Sequence, residues 1–267
     1  MIAVLNYADE KYVDAQSMNS KSALKFGADK VFSFGPNDIS QDFRKKYSQI
    51  LSVERGNGLW LWKPYFVKKC LDKMNEGDIL FYCDSGAFFF RNIKKFLKKV
   101  GEFNIIAFDI PLIEEQFTKR LLFEKMNCNS NYYKKSNQII ATYFIMKKSK
   151  ITIRFVDEWL NLCEQYDLIS PSNQYNEINN FIAHREDQSI FSLLCKKYKI
   201  PIYNDISQRY YFPKSYKHEK NYVYLKPVHK TKRVPVIIYL HKQKKLTFYV
   251  FLKQNIHLFF SVFRSKE

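Results

Sequence analysis

Three short stretches of the 267-residue chain concentrate side chains able to do chemistry. The first is Asp84-Ser85-Gly86, which follows Ile79 to Cys83, an apolar run of strand length and composition. In an open α/β sheet, ligands bind beyond the carboxyl ends of the strands. Asp84 is therefore expected to project into a cleft, and Gly86 to let backbone approach a ligand. The same tripeptide also suits an ordinary turn. The second stretch runs from Arg55 to Lys63 and places two glycines and two tryptophans between two cations. Arg55 offers a planar fork to phosphate oxygens, Lys63 a point charge, and Trp62 a flat apolar face. Trp60 and Trp62, spaced two apart, equally suit one face of a short strand. The third stretch, His184-Arg185-Glu186-Asp187-Gln188, opens a helix running through Ile190, Phe191, Leu194 and Tyr198. Acidic residues there oppose the helix dipole. The polar density exceeds what capping requires, and these residue types can hold a hydroxyl, orient a leaving phosphate and place an acid or amide at a reacting carbon.

The elements that must position these residues read as an α/β protein. Ile2 to Asn6 forms a first strand, Ser17 to Phe26 a helix closed by Gly27, and Val31 to Phe34 a second strand. That βαβ spacing implies a Rossmann-like, mainly parallel sheet flanked by helices. Pro64 has its φ preset for an early helical position, and Phe66, Val67, Cys70, Leu71 and Met74 then share one helical face, closed by Gly77. Phe103 to Phe108 is a further strand ending at Asp109, a second acidic strand tip. Leu112 to Met126 reads as helix, 127–137 as a polar loop, and Gln138 to Met146 as strand. Ser149 caps a helix whose core face holds Phe155, Val156, Trp159, Leu160, Cys163 and Tyr166. Ile200 to Asp205 is a short strand, and 208–233 is an aromatic, basic loop that contains His229. Leu246 to Phe263 is apolar but interrupted by Lys253, Gln254, Asn255 and His257, and flanked by Lys242, Lys244, Lys245 and Arg264. Charge and amides at its middle argue against a spanning helix and for a basic amphipathic helix lying in a membrane interface, with a helix packed on the domain as the alternative. The expected division is one domain over 1–240 and this helix within 241–267.

Composition sets outer limits. Hydrophobic content of 46% and aromatic content of 17% exclude disorder as the dominant state. The formal net charge of +18 attracts polyanions, whether nucleic acid, an anionic membrane or phosphorylated substrates. The five cysteines are odd in number and form no C-x-x-C pair, as suits buried reduced thiols. Neither G-x-G-x-x-G nor G-K-[ST] occurs, so neither a dinucleotide fingerprint nor a P-loop supports nucleotide binding. Met1 to Tyr12 lacks a basic segment followed by a long apolar one, so a cytoplasmic location is expected, peripheral on the inner face of the membrane if the last helix docks there.

In combination, Gly-x-Trp-x-Trp-Lys-Pro (58–64), Gly-Asp-Ile-Leu-x-Tyr-x-Asp-x-Gly (77–86) and His-Arg-x-Asp-Gln-Ser (184–189) resemble a family of bacterial glycosyltransferases of capsule and O-antigen biosynthesis. The resemblance covers roughly 1–230 in order. It implies a GT-A-like fold, a nucleotide-sugar donor and a glycan acceptor, lipid-linked in such pathways; no nucleic-acid partner is expected. Carried over, Asn6 and Tyr7 lie against the base and ribose, and Arg55, Trp62, Lys63, Asp84, Ser85 and Gly86 hold the rest of the donor. Gln188 takes the amide position on the β face of the donor sugar, and Asp187 is the supporting acid, or the general base if the enzyme inverts; a retaining course is favoured. His184 and Arg185 are the acceptor-side residues, and Asp109, from its place at a strand tip, is a reserve candidate behind Asp84 for acceptor contact or metal. The family's Asp-x-Asp is here Asp84-Ser85-Gly86, without the second carboxylate. Mn²⁺ or Mg²⁺ would rest on Asp84 with His229, or basic residues would replace the ion. The competing readings are a nucleotidyltransferase, a basic nucleic-acid-binding module and a catalytically inactive glycan-binding subunit.

Overall fold

The computed structural model describes residues 1–171, 177–216, 222 and 233–261. Its strands are β1 (Ile2–Tyr7), β2 (Lys30–Phe34), β3 (Ile79–Cys83), β4 (Ala87–Phe89), β5 (Ile105–Ile113), β6 (Asn137–Ile139), β7 (Tyr143–Lys147), β8 (Ile202–Tyr203) and β9 (Ile238–Leu240). Its longer helices are α1 (Val13–Lys25), α2 (Trp62–Lys73), α3 (Ile93–Val100), α4 (Lys150–Cys163), α5 (Glu186–Lys197) and α6 (Phe248–Ser261). One sheet has the order β2-β1-β3-β7-β5-β6, with β8 paired to β5. β1 runs parallel to both β2 and β3, and β8 runs parallel to β5. β7 is antiparallel to β3 and β5, as β6 is to β5, so five of the seven strands point one way. The α/β expectation of a mixed, mainly parallel sheet between helices is met. β4 and β9 form a separate antiparallel ribbon beside it.

Period-two alternation gives the sheet two buried faces. Ala3, Leu5, Leu80 and Tyr82 point to the side covered by α2, α4 and α5, where Phe66, Trp159 and Phe191 fill the core. Val4, Phe81 and Cys83 point to the side of α1 and α3, against Ala23, Ile93 and Phe96. α3 shows how sequence selects the face. Asn92 caps it by accepting from Lys95 N at 2.9 Å, Ile93, Phe96 and Leu97 are buried, and the lysines between them face out. All five cysteines are free and buried.

The strand expected over Gln138 to Met146 is divided into β6 and β7, and Tyr166, expected on the core face of α4, lies beyond its end and is exposed. Three further boundaries differ from the sequence reading for identifiable reasons. β5 does not stop at Asp109 but continues through Pro111 to Ile113, with an irregular register against β6 between Asp109 and Ile113. Proline is tolerated in a strand at such an irregularity, so Asp109 lies in mid-strand, not at a tip. The helix expected over 112–126 is two short turns, Glu114–Phe117 and Arg120–Lys125. Glu114 is fully buried because Lys196 of α5 reaches it at 2.5 Å, Thr118 Oγ1 donates to it at 2.6 Å and the Ser192 hydroxyl donates to it as well. The polar stretch expected as a loop over 127–137 contains a helical turn at Asn131–Lys134 and leads into β6.

Candidate active site

A cleft of about 470 Å³ opens beyond the carboxyl end of β3, and Asp84, Ser85 and Gly86 line it. Asp84 is held by its neighbour in the strand, since Tyr82 Oη donates to Asp84 Oδ1 at 2.5 Å. Its side chain stays 33% exposed. Ser85 Oγ donates to the Tyr7 carbonyl at 2.6 Å and so ties the tip of β3 to the tip of β1. At Gly86 the close backbone approach is made by this chain itself. A Cβ there would stand 3.0 Å from Lys242 Cα, and the Gly86 carbonyl accepts from both His241 N and Lys242 N at 2.8 Å. The β4–β9 ribbon thereby delivers Leu240 and Lys242 to the cleft wall.

The opposite wall is a left-handed turn. Gly56, Asn57, Gly58, Leu59 and Trp60 all have positive φ, between 53° and 92°. That region is sparsely populated by residues with side chains, and such strain gathers where a site is built. Glycine is required at both of its positions. A Cβ on Gly56 would lie 2.2 Å from the Trp60 ring, and one on Gly58 would lie 2.9 Å from Leu51 Cα. The turn, and not a strand, sets the two tryptophans. Trp60 lines the cleft, while Trp62 donates Nε1 to the Gly56 carbonyl at 2.9 Å and stacks on Tyr7 with ring centroids 3.8 Å apart. Asn57 Nδ2 donates to Tyr7 Oη at 2.5 Å and completes the aromatic wall. Gly56→Ala is expected to cost about 1–3 kcal/mol in urea unfolding through this overlap and the left-handed φ. Because Trp60 must move, ligand-induced stabilisation should fall by more than the fold does, which a melt with and without ligand separates.

Beneath Asp84 lies a buried ion cluster. Lys63 Nζ is 2.9 Å from Asp187 Oδ2 and 3.8 Å from Asp84 Oδ1, and donates to the Ala141 carbonyl at 3.2 Å. The side chains of Lys63 and Asp187 are 4% and 5% exposed. Burial pushes the Asp187 carboxyl up to about 7, against the pull of Lys63. Burial works to lower the Lys63 pKa, but Asp187 and Asp84 outweigh it and the ammonium is raised. The next residue, Gln188, accepts from Ala141 N at 3.2 Å and donates to Gln138 Oε1 at 2.8 Å, beside the cleft-lining Thr142.

The remaining expected site residues sit elsewhere. Asn6 is fully buried and donates to Asn19 and Ser20 of α1, both at 2.9 Å, so it holds α1 to β1. Arg55 turns away to bind Glu186, with Nε 2.6 Å from Oε1. Arg185 stacks on Phe117, 4.0 Å from the ring centroid, and donates to Gln138 at 3.3 Å. His184 is buried and kept neutral, with its pKa pushed by burial down to about 3. Its Nε2 meets the Leu168 carbonyl at 2.9 Å, and its Nδ1 accepts from Lys119 N at 3.4 Å. Asp109 accepts from Asn137 Nδ2 at 3.2 Å inside β5. His229 lies outside the described residues.

Of the carboxylates that line the cleft, Asp9, Glu54 and Asp84, only Asp84 stands at the end of β3; Gly86, in the place of a second acid, has no side chain. Among the described residues no group of three or more His, Cys, Asp or Glu could hold a metal. An ion bound here would therefore share Asp84 with oxygens of the substrate.

Residues that the motifs did not single out complete the site: Asn57, Thr142 and Lys242 line the cleft, and Gln138 holds Gln188 beside it. Two of them left a signal in the sequence. Asn57 lies between the two glycines of the turn, and Lys242 stands two residues after an apolar run of strand type, Val236 to Leu240.

No protein-family model matches the chain, and no curated protein does. Among solved structures it is similar to the apo form of the bifunctional glycosyltransferase WbbM, at 10% identity and TM-score 0.43, over 72% of this chain and 37% of that one. It is similar to the galactosyltransferase LgtC in complex with donor and acceptor sugar analogues, at 14% identity and TM-score 0.46, over 89% of this chain and 86% of that one. It is similar also to apo mouse xyloside xylosyltransferase 1, at 8% identity and TM-score 0.48, over 92% of this chain and 100% of that one.

Proposed function

We propose that the cleft binds a nucleotide-sugar donor and that the protein transfers the sugar to a hydroxyl of a glycan acceptor, a lipid-linked surface polysaccharide under construction. The observation that carries this reading is the composition of the cleft itself: aromatic on one wall, with Tyr7, Trp60 and Trp62, acidic at its floor, with Asp84, and cationic on the other wall, with Lys242. The aromatic wall suits a base and ribose, and Lys242 suits a diphosphate. A nucleic-acid groove is expected to be lined by cations, whereas Asp9, Glu54 and Asp84 all line this cleft.

In the transfer, the acceptor oxygen forms a bond to the anomeric carbon. The bond from that carbon to the diphosphate oxygen breaks, and the nucleoside diphosphate leaves with the electron pair. Lys242 faces the charge that builds on the leaving group. Asp84 would hold Mn²⁺ or Mg²⁺, an ion that would supply charge neutralisation to the same diphosphate. Gln188, pinned by Ala141 and Gln138, presents its second amide hydrogen to the sugar. Asp187 is buried and paired with Lys63, which supports a retaining course in which the acceptor proton passes to the leaving phosphate, and assigns Asp187 to holding Lys63 under Asp84. Arg185 acts through Gln138.

The test is a thermal-shift panel of nucleoside diphosphates and sugar nucleotides, with and without Mn²⁺, on wild type and Asp84→Ala. A ligand at a hundredfold excess over its Kd adds about 2.7 kcal/mol. One nucleotide should raise the melting temperature of the wild type and lose that effect in the variant. Stabilisation by none of them, with tight salt-sensitive binding to nucleic acid, would overturn the reading.

A further inference from the structure

Helix α6 is built inside out for a helix in water. Its protein-facing side carries polar residues: Gln254 donates to the His241 carbonyl at 2.8 Å, and Ser261 is buried. Phe251, on the Tyr239 ring at 5.0 Å between centroids, and the buried Leu258 add apolar packing there. The outward side carries the large apolar residues instead. Tyr249, Leu252, Ile256, Phe259 and Phe260 are 48–72% exposed, and at helical spacing they form one stripe continued by Phe248, which is 80% exposed. A contiguous exposed apolar patch of this kind marks an interaction site.

We infer that this stripe docks α6 flat on an anionic lipid surface. Charge selects the occupant. Lys242, Lys244 and Lys245 precede the helix and Lys253 borders the stripe, all exposed, and the described part of α6 contains no acidic residue. Exposed aromatics flanked by lysines match the boundary between acyl chains and anionic headgroups. The helix lies on the bilayer and does not cross it. Its 14 residues span about 21 Å, short of the roughly 30 Å hydrocarbon core, and no described helix is long and apolar enough to cross a membrane. Because Gln254 is bonded to His241, next to the cleft-lining Lys242, docking α6 brings the cleft mouth beside the bilayer. Membrane docking stands independently of what the cleft binds.

Flotation of the full chain with phosphatidylcholine vesicles, with and without phosphatidylglycerol, tests this at low salt. Wild type should float with the anionic vesicles and stay behind with the neutral ones. Tyr249→Ser, Ile256→Ser and Phe260→Ser combined should weaken binding by about a hundredfold, with a melting temperature close to that of wild type because the three side chains are at least half exposed. Lys244→Glu and Lys245→Glu should each weaken it by about fivefold or more. Equal binding to both vesicle types, or undiminished binding of the triple serine variant, would overturn the assignment. So would a dimer in light scattering that the serine variant dissolves while wild type ignores vesicles, which would give the stripe to a second copy of the chain.

Discussion

Lys63→Met is expected to remove about 3–5 kcal/mol of stability, because it strands the Asp187 carboxylate without a counter-charge in a buried site. Methionine matches the length of the lysine stem, so the loss measures the missing ammonium and not a cavity. Adding Asp187→Asn should recover most of it, since removing both charges leaves little to desolvate. Urea unfolding at constant m-value reads both steps, and a single-variant loss below about 1 kcal/mol would show the pair behaving as an exposed one. The effect has a pH signature. Burial already pushes Asp187 up to about 7 with Lys63 beside it, above the ordinary value of about 3.9. Without the ammonium the folded variant holds that proton more tightly still, while the unfolded chain releases it near the ordinary value. Wild type and variant therefore both lose stability as pH rises from about 4 towards 7, and the gap between them widens above about 7, where wild type releases the proton and the variant still holds it. The Lys63→Met, Asp187→Asn double variant should show no such widening.

The same pair shows where sequence reading stops. Lys63 and Asp187 were each recognisable as site residues, but they are 124 positions apart, and nothing local says that α2 and α5 bring them to 2.9 Å. Local chemistry was legible wherever one element decides it. Gly77 and the apolar run after it announce β3 and put Asp84 at its carboxyl end, and Ser149 announces α4 by capping Thr152 N. Legibility failed where a partner element decides. Pro111 looks like a strand end until β6 supplies the irregular pairing that tolerates it. His184 looks like an acceptor ligand until the carbonyl of Leu168 takes its Nε2. Lys242 reads as one more surface lysine until β4 pairs with β9 and seats it over Gly86. The composition of 246–263 announced an amphipathic helix, yet only the bond of Gln254 to the His241 carbonyl and the exposure of Tyr249, Ile256 and Phe260 show which side is turned inward.

Asp84→Asn is expected to lower turnover by about 10²–10³-fold, the usual cost of removing one group that stabilises charge in a transfer transition state. The substitution keeps volume and still accepts from Tyr82 Oη, and the side chain is partly exposed, so the melting temperature should stay close to that of wild type. Release of nucleoside diphosphate from whichever donor stabilises the protein is the assay. If Asp84 acts through the diphosphate, alone or with a divalent ion, the loss divides between a raised donor KM and a lowered kcat, and the dependence on added Mn²⁺ shifts to higher concentration. Asp84→Glu should retain part of the activity, because it restores the negative charge at a displaced position. Tyr82→Phe separates charge from orientation. It leaves the carboxylate and Lys63 in place but frees Oδ1, so it should lower kcat by less than Asp84→Asn and leave the Mn²⁺ dependence where it was. Undiminished turnover in Asp84→Asn would reduce Asp84-Ser85-Gly86 to the turn that its residue types also favour, and would move the search for the group that meets the leaving phosphate to Lys242 on the other wall of the cleft.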